Sequence, residues 1–167
     1  MLTVLIETHN DEEGLARTLG SLVAGSVEGV VREVVVHDRG STDHTALVAD
    51  HAGCTLVADG DLPARLRHAR GDWLLVLEPG SRLTEGWTEA VMLHITSITM
   101  PARFTRSRIG RPRFLARFFS TRRPFADGLL ISKRQALGLL KGASDLAPVA
   151  RVSTKRIAAE IIPSPKR

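Results

Sequence analysis

Two stretches of this chain set chemically useful side chains where a hydrophobic run stops. The first is Leu2-Thr-Val-Leu-Ile-Glu-Thr-His-Asn-Asp11, and the second is Arg32-Glu-Val-Val-Val-His-Asp-Arg-Gly-Ser-Thr-Asp43. Thr8, Asn10, Asp38 and Ser41 supply hydroxyl, amide and carboxylate groups, the donors and acceptors that hold a polar ligand. In an open parallel sheet, ligands bind just beyond the carboxyl ends of the strands. If the two runs are neighbouring strands, their polar ends mark one crevice. A third tip, Glu78-Pro-Gly80, follows the apolar run Trp73–Leu77. Its single carboxylate suits either a cation or a plain turn.

Other residue types exclude chemistry. His37, His44 and His51 are seven apart, but the first ends a strand and the others fall on a helix. No histidine pair has the short ligand spacing of a zinc motif. His9 and His37 read as polar rim residues of the crevice. Cys54 is the only cysteine, so no internal disulfide forms, and it reads as a small buried hydrophobe. No run reaches the roughly 18 apolar residues that span a bilayer, and the first residues do not read as a signal peptide. A reducing, cytoplasmic setting is expected.

Charge is divided unevenly. Residues 1–100 carry a net −8 and residues 101–167 a net +13, giving +5 overall. The basic part points to an anionic partner. Nucleic acid is not expected, because the acidic first part repels a polyanion and no nucleic-acid motif occurs. Within residues 101–125, eight arginines and all five phenylalanines fall together with no acidic residue. Such interleaving fits a peripheral contact with an anionic membrane surface, on its inner face. It equally fits an amphipathic segment packed on the sheet through its rings.

The elements that must position these groups follow from periodicity. Strands are expected at Leu2–Ile6, Glu33–His37, Thr55–Ala58 and Trp73–Leu77. Helices are expected from Asn10 or Asp11 to Gly25, over 44–52 with Asp43 as cap, over 61–70, and from Thr84 to Ile95. Strands alternating with helices of this length predict a parallel sheet with right-handed crossovers. Beyond residue 100 the pattern loosens. A strand is expected over 101–109, a short helix over 112–120, a strand at Leu129–Ser132 and a helix over 133–141. The remainder reads as frayed.

Three segments in register resemble the family 2 glycosyltransferases. Val4-Leu-Ile-Glu-Thr-His-Asn-Asp-Glu12 is similar to that family's strand and Thr-x-Asn turn. Val34-Val-Val-His-Asp-Arg-Gly-Ser-Thr-Asp43 is similar to its valine strand ending in Asp-x-Gly-Ser-Thr-Asp. Ala69-Arg-Gly-Asp-Trp-Leu-Leu-Val-Leu-Glu78 is similar to its Ala-x-Gly-x-aromatic lead into a strand and acidic turn, and Asp127-Gly-Leu-Leu-Ile-Ser-Lys-Arg134 is a weaker fourth match. The resemblance implies an α/β fold: one Rossmann-like GT-A domain, with a mostly parallel central sheet flanked by helices. Residues 1–100 would be its nucleotide-sugar-binding half, and residues 101–167 a basic acceptor-side or membrane-facing half.

It also implies chemistry. A sugar would pass from a UDP- or GDP-type nucleotide-diphospho-sugar donor to an acceptor hydroxyl, lipid-linked in many such proteins. Thr8, Asn10, Asp38 and Ser41 would bind the nucleotide, and Asp38 would accept a pyrimidine imide N–H. Ser41 and Asp43 equally suit helix capping. The family's Asp-x-Asp turn holds Mg²⁺ or Mn²⁺ against the diphosphate. Here only Glu78 remains as a metal ligand, because Gly80 has no side chain. Arginine is the alternative stabiliser of phosphate charge. Asp127, the only acidic residue between Glu89 and Asp145, is the candidate general base, or else the partner of a nearby arginine. An inactive relative that keeps the fold as a nucleotide-binding or interaction module is the second reading.

Overall fold

The computed structural model describes residues 1–58, 62–107, 123–141 and 145–165 of the chain. Strand β1 (Leu2–Thr8) leads into helix α1 (Glu12–Val27), then β2 (Val31–Asp38), α2 (Thr45–His51), β3 (Thr55–Val57), α3 (Leu62–Arg67) and β4 (Trp73–Leu77). There follow β5 (Arg82–Leu83), α4 (Trp87–Ser97), β6 (Ala102–Arg106), β7 (Leu129–Ser132), α5 (Lys133–Leu139), α6 (Ala147–Ala150) and β8 (Lys155–Ile162). The helix expected over 112–120 lies outside the described residues.

All eight strands join one sheet in the order β3-β2-β1-β4-β7-β6-β8-β5. The first four are parallel, as the alternation of strands and helices predicts, and β7 then enters antiparallel against β4. Side chains of a strand alternate between faces, and here each face has its own core. Leu2, Val4, Ile6, Leu75 and Leu77 pack with Leu15 and Leu22 of α1 and with Trp87 and Val91 of α4. Leu5, Val35, Leu74 and Val76 pack with Leu62 and Leu66 of α3 and Ala136 of α5. The sheet is thus covered on both sides, which explains why its strands read as unbroken apolar runs.

Three expectations change. Helix α1 does not end at Gly25: a Cβ there would lie 2.5 Å from the Trp87 ring, so the glycine admits the ring rather than stopping the helix. Between Gly80 and α4 the chain makes the short strand β5, and α4 starts at Trp87. The largest correction is the supposedly frayed tail. Residues 155–162 form the eight-residue strand β8, parallel to β6 and antiparallel to β5. Ile157, Ala159 and Ile161 are buried while Arg156, Ala158 and Glu160 are exposed. Each buried position has an apolar neighbour, Ala158 or Ile162, on the other face, which blurs the period-two pattern in the sequence.

Candidate functional site

Parallel pairing sets Thr8 opposite Asp38 and Ile6 opposite Leu77. The carboxyl ends of β1, β2 and β4 therefore meet at one edge of the sheet. Beyond them opens a cleft of about 500 Å³ lined by Glu7, Thr8, His9, Asp11, Arg39 and Pro79. Thr8 is 3% exposed, and its Oγ1 has no hydrogen-bond partner among the described residues. A buried hydroxyl left unmatched costs about 1–3 kcal/mol, and a polar ligand atom in the cleft would satisfy it.

Asn10, Asp38 and Ser41 join the two loops rather than lining the cleft. Ser41 donates its N–H to Asp38 Oδ1 (3.2 Å) and its hydroxyl to the same oxygen (2.5 Å). The Asn10 N–H reaches Ser41 Oγ at 2.9 Å, and the Thr42 N–H reaches Asn10 Oδ1 at 2.7 Å. Asn10 sits at φ 46°, the left-handed conformation that asparagine tolerates better than most residues. Of the two proposed caps for α1, Asp11 is the one used, accepting from the Gly14 N–H at 2.9 Å. Asp43 accepts from Thr45 N–H (3.0 Å) at the start of α2 and from Glu12 N–H (3.4 Å). The Thr45 bonds hold its carboxyl below the usual 3.8.

Sequence reasoning overlooked Glu7 and Arg39. Glu7 lies opposite His37 in the β1–β2 register. Its Oε2 is 3.3 Å from His37 Nδ1, and its Oε1 accepts from Arg39 Nη1 at 3.4 Å. The His37 hydrogen bond, with help from Arg39 and against burial, pulls the Glu7 carboxyl below its ordinary 4.5. The available signal was a glutamate inside an otherwise apolar strand. Cys54, expected to be buried, is half-buried against the core, and burial pushes its thiol up to about 11.

The tip of β4 carries a second group of charges. Glu78 Oε1 accepts the Phe125 N–H at 3.0 Å, and its Oε2 pairs with Arg123 Nη2 at 2.7 Å. Arg123 Nη1 donates to the Ser164 carbonyl at 3.0 Å. Gly80 lies at φ 87°, where a Cβ would come within 2.9 Å of Ser164 Cβ. The β4–β7 register pairs Val76 with Leu129; continued by two residues, it sets Glu78 beside Asp127. Asp127 is itself paired through Oδ1 with Arg106 Nε and through Oδ2 with Arg156 Nη2 (2.9 Å). The arginine-partner alternative thus describes Asp127 in this structure.

Arg103 donates to the carbonyls of Pro124 (2.7 Å) and Ala150 (2.9 Å). Burial, opposed by Asp127, pulls its guanidinium pKa below the ordinary arginine value. Phe104 and Phe125 are core residues. Among the described members of the 101–125 run, these two rings face inward, as an amphipathic segment packed on the sheet would, whereas Arg106 is exposed. The remaining arginines and phenylalanines of that run lie outside the described residues. No helix among the described residues is long and apolar enough to cross a membrane.

The described residues do not offer a divalent cation a set of ligands. Glu78 Oε1 accepts a backbone N–H, its Oε2 lies against the Arg123 guanidinium as an ion pair with no hydrogen bond, and the position two residues on is a glycine closed off by Ser164. Among the described residues no group of three or more His, Cys, Asp and Glu side chains could hold a metal.

No family model matches the chain. Solved structures do resemble it. Glucosyl-3-phosphoglycerate synthase from Mycobacterium tuberculosis, in complex with Mn²⁺, uridine diphosphate and glucosyl-3-phosphoglycerate, aligns over 100% of this chain and 73% of its own, with a TM-score of 0.61 and 15% identity. The same synthase with Mg²⁺ and uridine diphosphate aligns at 17% identity and a TM-score of 0.61, over 100% and 72% of the two chains. The fold is therefore the GT-A fold of glycosyltransferases. A TPR repeat-containing protein of Synechococcus elongatus is 42% identical over 72 residues, 38% of this chain. The chain spans less than a fifth of that protein, 18%.

Proposed function

We propose that this domain binds a nucleoside diphosphate sugar at the β1–β2–β4 edge and transfers the sugar to an acceptor hydroxyl. The observation that carries this reading is the unmatched, buried Thr8 hydroxyl in a cleft at the strand ends of a GT-A fold. Support comes from the synthase structures, which hold uridine diphosphate. In this reading Thr8 contacts the nucleoside. Asp38, with Asn10 and Ser41, shapes the loop that receives it. The acceptor oxygen bonds to the anomeric carbon as the bond from that carbon to the diphosphate breaks. The electron pair leaves with the nucleoside diphosphate, and the acceptor proton passes to a base. In this reading Asp127 takes that role once one of its two arginines swings aside.

The test is calorimetric titration of UDP and GDP, followed by hydrolysis of the matching nucleotide-sugar with water as acceptor. Thr8→Val should weaken binding about tenfold, the value of one lost polar contact, and Asp38→Ala should weaken it through the loop that Asp38 and Ser41 hold. Asp127→Asn should keep binding and lose hydrolysis. If neither nucleotide binds the wild-type chain at millimolar concentration, the reading is wrong.

A further inference from the structure

In the parent fold's chemistry, charge that builds on a departing diphosphate has to be met by fixed positive charge at the site. The tip of β4 supplies it here in an unexpected form. Glu78 does not point at an open coordination position. It is closed by Arg123 on one oxygen and by the Phe125 N–H on the other. The place of a second acidic ligand is taken by Gly80, and the space beside Gly80 is filled by Ser164. Ser164 in turn accepts a hydrogen bond from Arg123. These contacts form one device: the tail after β8 closes the second ligand position and braces the guanidinium that closes the first.

We infer that Arg123 takes the place of a divalent cation and meets the donor diphosphate directly, so that donor binding needs no metal. A guanidinium carries five N–H donors; Nη1 spends one on the Ser164 carbonyl, while Nη2 is ion-paired with Glu78 Oε2. Those remaining form a planar fork suited to phosphate oxygens. The Arg123 side chain is 33% exposed, so it is held yet reachable. It stands on the Glu78 side of the turn whose next residue, Pro79, lines the cleft. Charge balance agrees. Among the described residues, Arg103, Arg106, Arg123 and Arg156 are grouped with the two carboxylates Glu78 and Asp127, a net positive cluster.

The inference rests on the donor reading above, and one set of titrations separates the two. UDP, UMP and uridine are titrated into the full chain, once with EDTA and once with millimolar Mn²⁺. The expected result is UDP affinity equal within twofold in the two buffers. Arg123→Ala should weaken UDP binding at least tenfold in EDTA while leaving uridine unchanged, and Arg123→Lys should restore part of the loss. Freed of its arginine, Glu78 in Arg123→Ala should also make UDP binding respond to Mn²⁺. Should Arg123→Ala fail to fold, by circular dichroism, the wild-type comparison and Arg123→Lys still decide. Wild-type UDP binding that requires Mn²⁺ overturns the inference and leaves the donor reading standing. So does metal-free binding that Arg123→Ala leaves unchanged. No binding of any of the three ligands in either buffer overturns the donor reading itself.

Discussion

Replacing Gly80 tests the closed acidic turn without any ligand. Gly80 has φ 87°, and its Cβ, if it had one, would press on the Ser164 side chain. Gly80→Ala therefore carries two costs. An L-residue held in left-handed backbone costs about 1–2 kcal/mol. Moving Ser164 aside loses its carbonyl bond to Arg123, about 1 kcal/mol more. Together these come to about 2–3 kcal/mol. For a chain of this size each kcal/mol moves Tm by about 2–4 °C, so a fall of about 4–12 °C is expected. The assay is thermal unfolding followed by circular dichroism, with Gly20→Ala as control. Gly20 lies inside α1 with open space around it, and alanine there should stabilise by about 0.5–1 kcal/mol. Gly80→Asp, which restores an acid at the turn, should lose stability like Gly80→Ala and gain none from Mn²⁺. A Gly80→Ala protein melting within a degree of wild type would refute the packing against Ser164. A Gly80→Asp protein stabilised by Mn²⁺ would refute the claim that the turn is closed to a cation.

Two further outcomes are expected. The Glu7 carboxyl lies below its ordinary 4.5 because of His37 and Arg39. A depressed carboxyl pKa stabilises the fold above the unfolded value, and the contribution is lost as pH falls through the folded one. The stability gap between wild type and Glu7→Gln should therefore be present above the ordinary 4.5 and shrink as pH falls below it; a gap that persists unchanged into strong acid would remove the pairing with His37. Ile161 is fully buried in β8, and Ile161→Ala should cost about 2–5 kcal/mol, whereas Glu160→Ala on the outer face should cost under about 0.5 kcal/mol. Equal, small effects at both positions would mean that the segment is not a strand.

Much of the first hundred residues was legible because its signals are local. A valine run ending in a polar cluster states both a buried strand and where it stops, and two such runs in parallel register bring Thr8 and Asp38 together. What the polar residues do there was less legible. Asn10 and Ser41 carry types suited to a ligand, yet their nearest partners are each other's loops. Short polar side chains serve ligands and tight turns with the same atoms. The charges at the β4 tip were out of reach for a different reason. Glu78 and Phe125 are 47 positions apart, and Arg123 is one arginine in a run of many. Only the antiparallel entry of β7 selects it. The strand β8 was missed because Ala158 and Ile162 break the apolar–polar alternation around its three buried side chains, and its position near the end of the sequence lowered the weight of what alternation remains.

The two halves of the chain are not independent in their chemistry, and β8 shows why. Arg156 of β8 pairs with Asp127, and Ser164 just beyond β8 braces Arg123 on Glu78. The β8 strand is held in the sheet by β6 on one side and β5 on the other, so its register fixes both contacts at once. A slip of one residue would reverse every side chain of the strand, turning Arg156 away from Asp127 and Ile157 out of the core. Burial of Ile157, Ala159 and Ile161 therefore does more than stabilise an edge region: it selects the single register in which the arginines meet the two carboxylates. A metal site built from adjacent acids on one turn would need no such long-range alignment. An arginine site assembled from residues 78, 123, 127, 156 and 164 does, which is why damage to the β8 core should impair diphosphate binding before it unfolds the β1–β2 cleft.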